Sequence, residues 1–237
     1  MQVLLDEFIN YLNVERGLSP HTLDAYRSDL DRFIAFLNKR GVKSLDDATR
    51  DTIGAYLMAE KSRGISSTSL SRNLAAIKVF FRFLTSNRFV RADITDVIES
   101  PKIWKHLPEV LSIDDVERLL KSPRPSTDYG RRDRALIELM YATGVRVSEA
   151  AGLKVEDVNL EVGYIRCMGK GSKERIVPLG RVARKAVDSY LRLTRPNFSR
   201  RRNSEVLMLT RWGKPFTRQG LWKIIKSYAK RAKIRKR

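Results

Sequence analysis

The chain is poor in the residues that build stapled or metal-held folds. Its 237 residues include one cysteine, Cys167, and two histidines, His21 and His106. A single thiol excludes a disulfide framework and a cysteine-based zinc site, and it suits a reducing cytosol. Two histidines in different parts of the chain, with no cysteine cluster, give little support for a metal site. A Ser-His-Asp hydrolase would need a G-x-S-x-G elbow, and there is none. No apolar run approaches the ~18 residues of a membrane helix. Met1 to Leu12 carry Asp6 and Glu7 and no basic flank, which does not fit a signal peptide. Negative charge is scarce in one region above all: residues 162–237 hold 23 Lys and Arg against 3 Asp and Glu.

Residues 1–161 balance 24 basic against 24 acidic side chains, so the whole net charge of +20 lies in the last third. Such a density reads as a polyanion-binding surface. No stripe of exposed apolar residues accompanies it, which favours nucleic acid over a membrane surface. An RNA-binding module has less support, because no aromatic stacking pattern falls on a strand. At 42% apolar residues the chain should be globular, and its length allows one large domain or two small ones.

The first part reads as four helices. Residues 3–14 set Val3, Leu4, Phe8, Ile9 and Leu12 on one side. Ser19-Pro20 opens a second helix to about Lys39, with Leu23, Tyr26, Leu30, Phe33, Ile34 and Leu37 inward. A third spans roughly Arg50 to Ser62 and ends at Gly64. The fourth, about Ser67 to Thr85, stacks Leu70, Leu74, Ile77, Phe81 and Leu84, leaving Arg72, Lys78 and Arg82 off the stripe. Residues 101–110, bracketed by Pro101 and Pro108 and containing Trp104, read as an extended linker between a domain at 1–100 and another at 111–237. Beyond it, Ser112-Ile113-Asp114-Asp115 signals a helix start. A helix over Arg131–Ala142 follows, then strand-like pieces between Val155 and Met168, answered across a Gly-Lys-Gly turn by Arg175 to Leu179. Helices over about Val182–Leu193 and Thr217–Ala232 flank the basic loop at 200–202. The fold class is mainly α (α+β), with a small antiparallel hairpin or three-stranded sheet in the second domain.

The stretch from Ala135 to Leu179 organises the rest. Ala135 to Tyr141 reads as a buried helix, Thr143 to Glu149 as its end and a tight restart, and Gly169 to Arg175 as a hairpin turn. Gly169-Lys170-Gly171 is not a P-loop, since Tyr164 stands at the first glycine position and Gly171 replaces the hydroxyl residue. Arg146 with Glu149 could be a surface pair worth about 0.3 kcal/mol, and Lys170, Lys173 and Arg175 could be ordinary solvated residues. Together, an arginine behind a glycine turn and a lysine-tipped hairpin in a basic domain tilt the reading toward phosphate chemistry.

Ala142-Thr143-Gly144-Val145-Arg146-Val147-Ser148-Glu149, followed by Gly169-Lys170-Gly171-Ser172-Lys173-Glu174-Arg175-Ile176-Val177-Pro178-Leu179, resembles the tyrosine recombinase (phage integrase) family, most of all its Xer branch. Gly17-Leu18-Ser19 through Thr22, Tyr26, Asp29-Leu30 and Phe33 to Leu37 resembles the family's helical, SAM-like core-binding domain. The resemblance implies a cofactor-independent type IB recombinase that cuts and rejoins DNA through a 3′-phosphotyrosyl intermediate. It makes Arg146 a catalytic arginine on the scissile phosphate and Lys170 the general acid for the 5′-hydroxyl. Glu149 becomes a support, and Lys173, Arg175, Arg72, Lys78, Arg82 and Arg218 become DNA contacts. It also implies two domains clamping a duplex. The partners are a recombination site, other recombinase subunits in a tetramer on DNA, and a DNA translocase in chromosome dimer resolution. Phage or mobile-element integration is close in chemistry, and the location is cytoplasmic, at the nucleoid.

The family's His-x-Leu-Arg-His motif, a following His or Trp, and the tyrosine nucleophile are not among these 237 residues. His21-Thr22-Leu23 imitates the motif in the wrong domain, and Tyr228 is expected to pack with Leu221, Ile224 and Ile225. No nucleophile is assigned. The expectation is a truncated recombinase, monomeric in solution, that binds DNA without cleaving it. The rival is a non-catalytic DNA-binding regulator or naturally shortened integrase.

Overall fold

The computed structural model describes residues 1–98, 109–169, 174–200 and 202–236. The chain divides into two compact units, Met1–His106 and Leu107–Arg237. Most of the expected linker at 101–110, including Trp104 and His106, lies outside the described residues.

The first unit is built from α1 (Gln2–Val14), α2 (Pro20–Lys39), α3 (Arg50–Ser62) and α4 (Ser67–Ser86), with a 3-10 turn at Leu45–Asp47 that propensity did not reveal. Side-chain oxygens of Thr49 and Ser66 accept from Thr52 and Ser69 N–H, capping α3 and α4. Pro20 occupies the first turn of α2, where its missing N–H costs nothing. The four apolar stripes close on a core rich in aromatics, in which Phe8 meets Phe80 at 5.1 Å and Phe33 meets Tyr56 edge-on at 5.2 Å between ring centroids. One expected core residue is misplaced: Val3 is exposed, and Leu5 is buried instead. Leu5, Phe8 and Leu12 follow the i, i+3, i+7 spacing, and Val3 lies off that stripe.

The second unit runs α5 (Ile113–Lys121), α6 (Asp128–Thr143), α7 (Val147–Gly152), β1 (Val158–Asn159), β2 (Tyr164–Met168), β3 (Glu174–Pro178), α8 (Arg181–Leu193), α9 (Arg195–Ser199) and α10 (Arg218–Arg231). Ser112 and Asp115 form a reciprocal capping box at α5. The sheet is antiparallel in the order β1-β2-β3, with Cys167 opposite Arg175 and Met168 opposite Glu174. Helix α6 packs against α8, and α10 packs against α7. Leu136, Leu139, Ile165, Val187, Tyr190, Leu207 and Leu221 fill the core between them.

Two departures from the sequence reading concern α6. Tyr141, expected inside, is exposed. The helix also begins three residues early, at Asp128, because Thr127 caps it by accepting from Gly130 N–H at 3.0 Å. Gly130 discourages a helix on propensity alone, yet nothing larger fits there: a Cβ would stand 1.7 Å from the Arg124 carbonyl oxygen. The short α9 was also missed. Its first residue, Arg195, gathers the carbonyls of Ser204, Val206 and Leu207, tying the segment after the helix back to the core.

Replacing Gly130 with alanine forces backbone apart rather than a side chain aside, so the expected loss is at the upper end of overpacking costs, about 3 kcal/mol. Urea unfolding of Gly130→Ala beside the wild type checks this. A loss below about 0.5 kcal/mol, the ordinary surface range, would contradict the packing.

Candidate active site

Helix α6 ends at Gly144, whose φ of 60° is left-handed and open to glycine at little cost. Val145 is buried behind it, and Arg146 takes an extended conformation (φ −66°, ψ 151°) as the cap of α7. The chain direction changes here, so the arginine projects from the junction of two helices.

Glu149, three residues into α7, joins the parts. Its carboxylate accepts the Arg146 backbone N–H at 2.9 Å and Arg146 Nη1 at 3.0 Å. From β3, Arg175 donates Nη1 to Oε1 at 3.1 Å and Nη2 to Oε2 at 2.6 Å, a two-pronged grip. The Glu149 side chain is 8% exposed, while Arg146 stays 68% exposed. Hydrogen bonds from Arg175, then those from Arg146, hold the Glu149 carboxyl down to about 2, against the opposing effect of burial. An ionised, enclosed carboxylate thus pins one face of the Arg146 guanidinium. Nε and Nη2 of Arg146 have no partner among the described residues. A shallow cleft of about 280 Å³ adjoins Glu149, lined by Ser148, Asp157, Arg166, Cys167 and Met168. Burial pushes the Cys167 thiol up, so it is no thiolate nucleophile.

The other expected residues fall into distinct settings. Lys170 and Lys173 lie outside the described residues, in the part of the sequence between β2 and β3. Arg218 opens α10 just after the Thr217 cap, exposed and without an ion pair among the described residues, on the helix that packs against α7. Lys78 and Arg82, one helical turn apart on α4, likewise have no ion-pair partner among the described residues. Arg72 is different, because Asp29 binds it at two points. Arg175, expected on the DNA backbone, has its guanidinium engaged by Glu149.

Tyr228 is buried and donates to Asp133 at 2.9 Å. Burial first, then the Asp133 charge, pushes its hydroxyl up to about 12. His21 is exposed in the first turn of α2. Among the described residues no group of three or more His, Cys, Asp or Glu could hold a metal, and no helix is long and apolar enough to cross a membrane. Sequence reasoning gave no sign of Arg132, which is buried, pairs with Asp133 at 2.7 Å and lies 4.9 Å from the Phe216 ring centroid.

Known proteins match both units of the chain. Residues 109–237 match the phage integrase family, and residues 5–88 match the phage integrase N-terminal SAM-like domain. The chain therefore belongs to the phage integrase family of tyrosine recombinases, enzymes that transfer DNA strands in site-specific recombination. Within the family it stands on the Xer branch: tyrosine recombinase XerD of Halalkalibacterium halodurans is 40% identical over 233 residues, 98% of this chain and 78% of the relative. In fold it matches the XerH site-specific recombinase bound to a palindromic difH substrate in a post-cleavage complex, with a TM-score of 0.74 at 22% identity over 100% of this chain and 74% of the other. A lambda integrase tetramer bound to a Holliday junction matches with a TM-score of 0.70 at 18% identity over 98% and 66%.

Glu149→Gln keeps the shape and removes the charge. A carboxyl held below its ordinary range contributes stability above that range and loses it as pH falls toward about 2. Wild type should exceed the variant by about 1–3 kcal/mol near neutral pH, with the gap narrowing on acidification. Urea unfolding from neutral pH down to about pH 3 measures it. A gap that is constant or widens toward acid would contradict the ionised hub.

Proposed function

We propose that this chain is a Xer-like site-specific recombinase in which Arg146 and Lys170 act on the scissile phosphate of duplex DNA. Arg146 neutralises non-bridging oxygens as charge builds in the transition state, with its unengaged donors turned outward. Lys170 gives its proton to the departing 5′-hydroxyl. Glu149 orients Arg146, and Arg175 holds Glu149 in place. Lys173, Lys78, Arg82 and Arg218 meet the DNA backbone or bases, and Arg72 meets a phosphate with the part of its guanidinium that Asp29 leaves free. The observation that carries the reading is the enclosed, ionised Glu149 that pins a solvent-facing arginine and ties it to β3. Chromosome dimer resolution with a paired recombinase and a DNA translocase, at the nucleoid in the cytoplasm, is the role we favour. The DNA-bound XerH and the lambda integrase tetramer support duplex DNA and further recombinase subunits as partners.

The 237-residue polypeptide binds DNA but does not cut it, because Tyr228 is buried and engaged and no other nucleophile is assigned. The test pairs a labelled recombination-site duplex with a nicked suicide substrate. Affinity is expected to fall steeply as salt rises, and no covalent adduct should form. Arg146→Ala with Lys170→Ala should lower the slope of log K against log salt by about 2, near 0.9 per lost phosphate contact. Affinity nearly flat in salt would overturn DNA binding by this surface, and a covalent adduct would overturn the inactivity. An unchanged slope in the double variant would remove Arg146 and Lys170 from the phosphate and leave a site-occupying regulator.

A further inference from the structure

In the first unit two carboxylates are sealed inside while the arginines they hold stay outside. Asp29 on α2 and Glu60 on α3 have side chains 0% and 3% exposed. Arg72 on α4 donates to Asp29 through Nε at 2.7 Å and Nη2 at 2.9 Å and remains 49% exposed. Arg63, which ends α3, donates Nη1 to Glu60 at 2.8 Å and remains 68% exposed. Arg32 on α2 bridges the two acids, bonding Asp29 and facing Glu60 at 3.5 Å. With its amide nitrogen turned inward, Asn73 donates to both Asp29 oxygens at 2.9 and 3.2 Å.

The cluster ties α2, α3 and α4 together and leaves its cations at the surface. Here every strong donor set is aimed at the anions, and the arginines keep an outward edge: Nη1 of Arg72 and both Nε and Nη2 of Arg63 have no partner among the described residues. A guanidinium gripped from behind has little rotamer freedom left to lose when it meets a second anion. Three cations against two carboxylates leave the cluster with a net positive charge, and the fork geometry of arginine suits a phosphate.

We propose that Asp29 and Glu60 are positioning residues that hold Arg72 and Arg63 as a preset clamp for backbone phosphates of duplex DNA. The proposal rests on the DNA-binding reading above, and it gives two acidic residues a part in holding an anion. Simple electrostatics gives the opposite sign, since deleting a carboxylate from a DNA-binding unit should tighten binding.

The experiment compares the full 237-residue wild type with Asp29→Asn, Arg72→Ala and the double variant on a labelled duplex at fixed low salt, with circular dichroism confirming the fold. Asp29→Asn is expected to weaken binding about 2- to 10-fold, the range set by freeing one or two ordered side chains. In the Arg72→Ala background the same change should have no further effect, because the arginine through which Asp29 acts is gone. Arg72→Lys, which keeps the charge and loses the fork, should bind as weakly as Asp29→Asn. If Asp29→Asn does not fold, Glu60→Gln with Arg63→Ala carries the same cycle. A folded Asp29→Asn that binds as well as or better than wild type overturns the clamp, and so does an effect that persists undiminished without Arg72. A wild-type chain that binds no duplex overturns the function on which the clamp rests.

Discussion

The Glu149 carboxylate between two guanidiniums is the constraint on which the second unit's working edge depends. Arg146 comes with α7, whereas Arg175 arrives from β3. Enclosing one carboxylate joins the two elements, because an unpaired charge there would cost several kcal/mol. Each arginine lowers that cost, and each is oriented in return. Removing any one of the three leaves a charge without its partner. The turn at Gly144, the cap of α7 and the register of β2 with β3 all serve this meeting, and the register sets Arg175 opposite the buried Cys167.

The ion pairs with an enclosed carboxylate divide by where the cation ends. Arg132 and Asp133 are both enclosed; the guanidinium sits near Tyr129, Phe198 and Phe216, and Asp133 also accepts from Tyr228. Both members of that pair are buried, and through Tyr228 it fastens α6 to α10. Around Glu149, and again around Asp29 and Glu60, the anion is enclosed and the cations stay open. Most of the desolvation cost falls on the carboxylate and is offset by arginine donors, while the guanidiniums keep between a third and two-thirds of their side-chain surface in solvent. A cation held in that way is anchored from behind and free in front, which suits it to receive a phosphate.

Much of this was legible from local pattern. The spans of α3 and α4, the capping signal of α5 and the pairing of β2 with β3 follow from apolar periodicity, cap residues and the glycine turn. Arg146 and Glu149 could be picked out three residues apart on one element, but a surface pair was the default reading of that spacing. Only the third partner, 26 residues on, turns the pair into an enclosed hub, and such distant pairing has no local signature. Asp29 was visible as a part of the family pattern but not as a ligand of Arg72, 43 residues away. The early start of α6 was hidden because glycine lowers helix propensity, while its need for space against Arg124 is a tertiary fact.

The distribution of charge joins stability to binding. Among residues 162–237 only Glu174, Asp188 and Glu205 are acidic; Asp188 pairs with Arg192 and Glu205 with Lys154. Among the described residues of that stretch only Arg166, Arg175, Arg192 and Lys236 are ion-paired, so most of its cations have no internal counterion. Their mutual repulsion, felt over about 10 Å at ordinary salt, works against the compact state and is relieved when a polyanion supplies the missing charge. The enclosed carboxylates Asp29, Glu60 and Glu149 are used where they orient arginines and do little to neutralise the surface. A neutralised surface would give a more stable protein with less to offer a phosphate backbone, so marginal self-repulsion and affinity for DNA come from the same shortage of acidic residues.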